Sequence, residues 1–162
     1  MNIKKLLSAV LVPVMLFTGC SGGNEDDNVQ TADADPAEVV SAVLAEIPIS
    51  SAVEKGTDDV ETYYVDVDIS ELDSAAFSLC GSGALPDEIA VLKFKTADAA
   101  KSAEAGLQSK LSSRIDVFTD YTPDEMYKLD TAKVYSVGNY AVYLALSDND
   151  RAKTIVDEKL KG

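Results

Sequence analysis

Residues 89 to 95 read Ile-Ala-Val-Leu-Lys-Phe-Lys, and their large apolar side chains fall on both parities: Ile89 and Val91 on one side, Leu92 and Phe94 on the other. A strand lying on a solvated sheet surface is apolar on one face only, so this run belongs in the middle of a sheet. The rest of the chain must supply its neighbours. Ala75, Phe77 and Leu79 alternate ahead of a Gly81-Ser82-Gly83 turn and predict a partner strand. Tyr63 to Ile69 also alternates, Val65, Val67 and Ile69 against Tyr64, Asp66 and Asp68, and reads as a half-buried strand. Lys133 to Val137 and Tyr140 to Leu146 flank Gly138-Asn139, a two-residue link that signals a hairpin.

Helices fill the intervals. Asp35-Pro36-Ala37-Glu38 supplies a cap, a proline for the first turn and an acid to close a capping box, and Val39, Val43 and Ile47 mark one face before Pro48 stops the helix. Thr96 caps a long helix whose apolar positions are Ala100, Ala103, Leu107, Leu111, Ile115 and Phe118. Thr122-Pro123-Asp124-Glu125 predicts a short helical turn, and Asp148 caps a closing helix with Ala152, Ile155, Val156 and Leu160. The expected fold class is α+β: a mainly antiparallel sheet of about five strands with helices packed on one face, formed by a single domain over 36–162.

The amino terminus reads as an address. Lys4 and Lys5 precede a twelve-residue apolar run from Leu6 to Phe17, which suits the core of an export signal and falls short of the roughly 20 residues that span a bilayer. Leu16-Phe17-Thr18-Gly19-Cys20 resembles the lipobox of bacterial lipoproteins, departing from it at Phe17, where Leu is usual. That resemblance implies a signal peptide over 1–19, cleavage between Gly19 and Cys20, and a diacylglyceryl group on Cys20. The acidic run that follows, Ser21-Gly22-Gly23-Asn24-Glu25-Asp26-Asp27-Asn28, cannot form a core, and 20–35 reads as a disordered tether. The expected location is therefore the extracytoplasmic face of the cell membrane, lipid-anchored, with the membrane itself as the first partner. Two acyl chains suffice for stable anchoring.

Composition narrows the chemistry. The 162 residues contain 14 Lys+Arg against 28 Asp+Glu, a net charge of −14, which argues against a nucleic-acid partner. Loss of Lys4 and Lys5 with the signal would leave 12 basic against 28 acidic residues, a net −16. There is no His, so Ser/His/Asp triads, Cys/His dyads and imidazole metal sites are excluded. With Cys20 lipidated, Cys80 is the remaining thiol, no internal disulfide forms, and the hydrophobic core must hold the fold. Cys80 lacks a base or a cationic neighbour in sequence and reads as a small apolar residue at a strand end with an ordinary high pKa.

The densest oxygen cluster is Asp66, Asp68, Ser70, Glu71 and Asp73, residue types suited to calcium, but the EF-hand register fails: Glu71 and Phe77 stand where Gly and Glu are needed. Six tyrosines, Tyr64, Tyr121, Tyr127, Tyr135, Tyr140 and Tyr143, could build a binding platform, although Tyr140 and Tyr143 point to opposite faces of one strand. No residue is assigned as catalytic, cofactor-binding or metal-binding, and no cofactor is called for.

The stretch Gly81-Ser82-Gly83 with Asp87-Glu88-Ile89-Ala90-Val91, the long amphipathic helix, the Tyr121 to Tyr127 segment and the Gly138-Asn139-Tyr140 hairpin resemble a family of Gram-positive bacterial lipoproteins carrying a domain of unknown function. The resemblance covers roughly 36–160. It implies location and fold, and it brings no reaction or catalytic residue with it. The functional expectation is a membrane-anchored, non-enzymatic binding or accessory module whose protein or cell-envelope ligand is unknown. The alternative is a carboxylate-dependent envelope hydrolase or calcium-assisted binder acting through Asp66, Asp68 and Asp73.

Overall fold

The computed structural model describes residues 32–161. The expectations for 1–19, for Gly19 and Cys20, and for most of the tether lie outside the described residues. In chain order the elements are α1 (Pro36–Glu46), β1 (Ala52–Gly56), a 3-10 turn at Thr57–Asp59 leading into α2 (Val60–Tyr63), β2 (Leu72–Cys80), β3 (Glu88–Phe94), α3 (Ala97–Tyr121), a 3-10 turn at Pro123–Glu125 leading into α4 (Met126–Asp130), β4 (Lys133–Val137), β5 (Tyr140–Ala145) and α5 (Asn149–Lys161). The fold is α+β. All neighbouring strands are antiparallel, in the order β1-β2-β3-β5-β4, which puts β3 at the centre as its two-sided apolar pattern requires.

The helices cover both faces of the sheet rather than one. Ile89, Val91, Val142 and Leu144 face α1 and α5, whose Val39, Val43, Ile155, Val156 and Leu160 complete one core. Ala90, Leu92, Phe94, Ala141 and Tyr143 face the other way, onto Leu107, Leu111 and Phe118 of α3 and Leu129 of α4. The physical reason is in the strands: β3 is buried at six of its seven positions and β5 at all six, and two apolar faces need two covering layers.

Caps and turns follow local chemistry. Asp35 Oδ1 accepts from the Ala37 amide at 2.9 Å, Thr96 Oγ1 from the Ala99 amide at 3.2 Å, and Asp148 Oδ1 from the Arg151 amide at 2.9 Å. Gly138 adopts φ +53°, the glycine-favoured region that a two-residue hairpin turn needs at its first central position.

One expected strand is absent. Residues 63–69 do not form a strand: Tyr63 ends α2, and the chain then crosses α3 as an irregular segment. Burial explains the false alternation. Tyr64 is the residue turned into the core, Val65 is 77% exposed, and Asp68 Oδ1 takes the Ser70 amide at 2.9 Å in a local turn. The first strand of the sheet is instead β1, pairing Ala52 with Cys80 through Gly56 with Ala76. It is an edge strand carrying Glu54 and Lys55 and burying little, so it shows no apolar alternation.

The end of the expected tether is also docked on the domain. The Ala32 amide donates to the Leu160 carbonyl at 2.7 Å, the Ala34 amide donates to the Tyr140 hydroxyl at 2.9 Å, and that hydroxyl reaches the Ala34 carbonyl at 2.9 Å. Asp33 pairs with Lys93.

Candidate functional site

The irregular segment that replaces the expected strand forms one wall of a cleft; α3 forms the other. Gly106 makes the approach possible. A Cβ at that position would lie 2.4 Å from the Asp66 carbonyl oxygen, so the helix must present a glycine where the backbone crosses it. Asp66 is pinned from the other side, accepting from the Ser109 hydroxyl at 2.6 Å.

Between these walls lies a space of about 250 Å³, lined by Tyr63, Tyr64, Val65, Lys110, Arg114 and Val117 among others. Its mouth is apolar and solvated: Val65 is 77% and Val117 59% exposed. Its floor is charged. Glu88, 1% exposed at the start of β3, accepts from the Tyr64 hydroxyl at 2.6 Å and pairs with Lys110 Nζ at 3.0 Å. Lys110 also donates to the Tyr63 carbonyl at 2.9 Å and stands 4.4 Å from the centroid of the Tyr64 ring. One lysine therefore neutralises a buried carboxylate and holds the cleft wall.

Arg114, one turn further along α3, is differently placed. Its guanidinium carbon lies 4.5 Å from the Phe118 ring centroid, and its hydrogen bond among the described residues is a long one, 3.4 Å from Nη2 to the Leu85 carbonyl. Its Nε is buried without a partner, as is the hydroxyl of Tyr143. Burial first, and then the nearby Glu88 charge, push the Tyr64 and Tyr143 phenols up from their ordinary pKa, with the Arg114 charge acting in the opposite direction on both. Asp66 lines the same cleft, so two carboxylates stand against two cations and the cleft carries no net charge, but Arg114 has no carboxylate partner among the described residues. A second buried pair sits next in sequence, Asp87 with Lys128 at 2.7 Å, joining the residue before β3 to α4.

The residues singled out from sequence are dispersed. Asp66 is bonded to α3, Asp73 faces Lys93 at 3.7 Å, and Glu71 accepts from the Thr96 hydroxyl at 3.1 Å. Asp68 and Glu71 do share a shallow pocket with Asp98, but among the described residues no three His, Cys, Asp or Glu side chains could hold a metal ion. Cys80 is buried in the α1 and α5 core, as its position implies. Its thiol lies 3.2 Å from the Ser82 hydroxyl, a contact that moves its pKa below the ordinary thiol value against the effect of burial, which corrects the expectation of a high value. The tyrosines do not make a platform. Tyr64, Tyr140 and Tyr143 are buried, Tyr140 and Tyr143 on opposite faces of the sheet, while Tyr121 and Tyr127 are exposed.

Glu88, Lys110 and Arg114 were not singled out as a group from the sequence. The available signal was a carboxylate opening an otherwise apolar strand, together with two cations spaced i, i+4 and interleaved with Leu107, Leu111 and Phe118.

The sequence model described as Domain of unknown function (DUF4358) matches residues 46–146. The chain belongs to this family. All the cleft residues named above fall inside the DUF4358 match, whereas α5 and all but the last residue of α1 lie outside it. No curated protein and no solved structure matches the chain. Among the described residues no helix is long and apolar enough to cross a membrane.

Proposed function

We propose that this DUF4358 protein is a lipoprotein of a Gram-positive bacterium, anchored through a diacylglyceryl group on Cys20 to the outer face of the cytoplasmic membrane, and that it works there as a non-enzymatic binding module. The anchor is supported by the lipobox-like Leu16 to Cys20 and the basic and apolar residues before it. With a net −16 after cleavage, the chain is repelled by anionic headgroups, so the acyl chains must supply the attachment.

The observation that carries the binding role is the cleft between α3 and residues 63–66. It combines a solvated apolar mouth with a charged floor, a combination typical of small-ligand sites. Glu88 and Lys110 are occupied with each other and with the cleft wall. That mutual pairing leaves neither as a free base, which supports a binding role over a catalytic one.

Intact mass of the membrane-extracted protein tests the anchor. The expected mass is that of residues 20 to 162 plus a diacylglyceryl group, and Cys20→Ala should lose the adduct. An unmodified wild-type chain would overturn the anchored reading and leave a diffusible binding protein.

A further inference from the structure

We propose that the cleft beside α3 recognises the carboxylate of a small organic monoanion through Arg114, with the apolar part of the ligand resting between Val65 and Val117. This inference rests on the reading of the cleft as a binding site.

Three features point to this ligand class. The first is charge: Glu88 is paired with Lys110 and Asp66 accepts from the Ser109 hydroxyl, while no carboxylate pairs with Arg114 among the described residues, so one guanidinium is left for a single anionic group, and the nearby Asp66 disfavours a phosphate dianion. The second is shape. A guanidinium has five N–H donors in one plane, which suits the planar, two-oxygen face of a carboxylate. Here the Phe118 ring backs the group, and Leu85 engages a single donor at 3.4 Å. The third is size and polarity: about 250 Å³ lies below the roughly 300–1,000 Å³ of drug-sized sites, and the mouth is formed by exposed valines. The occupant is a small acid with an aliphatic or aromatic body, either free or at the carboxyl terminus of a peptide.

Lys110 is a positioning residue in this arrangement. It fixes the Tyr63 carbonyl and so the wall that carries Val65.

The test is a ligand-observed NMR titration of the full-length protein in detergent with phenylpropanoate and with its neutral amide, phenylpropanamide. The acid should bind at least tenfold more tightly than the amide. Arg114→Lys keeps the charge but not the planar fork, and should close most of that gap while leaving the thermal unfolding midpoint in place. A persistent gap in Arg114→Lys would overturn the assignment to Arg114. Equal binding of acid and amide to the wild type would overturn the carboxylate proposal whatever the variant does. If Val117→Asp then abolished both, the cleft would stand as a binding site for a neutral ligand. No binding of either compound at about 10 mM would overturn both the proposal and the binding reading beneath it. N-acetylglycylphenylalanine, compared with its C-terminal amide, separates the two sources of the carboxylate. Tenfold tighter binding than phenylpropanoate, lost in the amide, identifies a peptide terminus, and parity with phenylpropanoate identifies a free acid.

Discussion

Glu88 stands in the sheet with 1% of its surface exposed, and its charge is tolerated only because Tyr64 donates to it and Lys110 pairs with it. Removing one member of a buried pair leaves an uncompensated charge, at a cost of about 3–5 kcal/mol. Lys110→Met should therefore lose about 3 kcal/mol in urea unfolding, and adding Glu88→Gln should recover part of it; a single variant as stable as wild type would contradict the pairing. The tyrosines beside it set an alkaline limit. Tyr64 and Tyr143 are held protonated above their ordinary value by burial and by the Glu88 charge. The unfolded chain releases those protons from about pH 10 upward and the folded chain does not, so stability is intact below that pH and falls above it. Each tyrosine contributes a slope approaching about 1.4 kcal/mol per pH unit. Urea midpoints should hold up to about pH 10 and fall progressively above it, with tyrosinate absorbance from these two residues appearing only on unfolding. At this scale the sequence was only partly legible. Cys80 as a packed residue could be read from its setting, but the cleft charges could not, because Glu88 and Arg114 are 26 positions apart and only the fold brings them to one floor.

Elements were legible where caps and periods are local. α1, α3 and α5 begin at the predicted capping residues, and the Gly138-Asn139 hairpin forms between the predicted strands. The period-2 rule failed at residues 63–69, where a polar partner for the Tyr64 hydroxyl outweighs the apolar alternation. It missed β1 because an edge strand buries too little to show alternation. The crossing of residues 64–66 over α3 depends on Gly106. Ala there would gain roughly 1 kcal/mol of helix propensity, yet its Cβ would meet backbone atoms at 2.4 to 2.8 Å that cannot turn aside. Overpacking of this kind costs about 1–3 kcal/mol. Gly106→Ala should lower the urea midpoint and displace the cleft wall, seen as weakened phenylpropanoate binding; a stabilised variant would show that the wall is not seated on the helix. Gly138→Ala should cost at least about 1 kcal/mol, since φ +53° is unfavourable for a residue with a Cβ. Its effect should be confined to stability, because the turn lies away from the cleft.

For the molecule as a whole, the DUF4358 match ends at residue 146, but the core does not. Ala152, Ile155, Val156 and Leu160 of α5 are buried against α1 and the sheet. A chain truncated after Leu146 should therefore lose cooperative unfolding and bind a hydrophobic dye, whereas a cooperative transition at the wild-type midpoint would show α5 to be dispensable. The α+β class could be read at this scale because a two-sided β3 demands a sheet; the second helical layer is the same demand followed to both faces. The Tyr140 hydroxyl, clasping the backbone at Ala32 and Ala34, adds a directional consequence. It fixes Ala32 and Ala34 on the α1 and α5 side, behind the sheet from the cleft. Eleven residues lie between Cys20 and Ala32, which bounds their separation at about 40 Å. A lipid at Cys20 would thus pull on the back of the domain, leaving the cleft free to face away from the bilayer within a shallow zone above it.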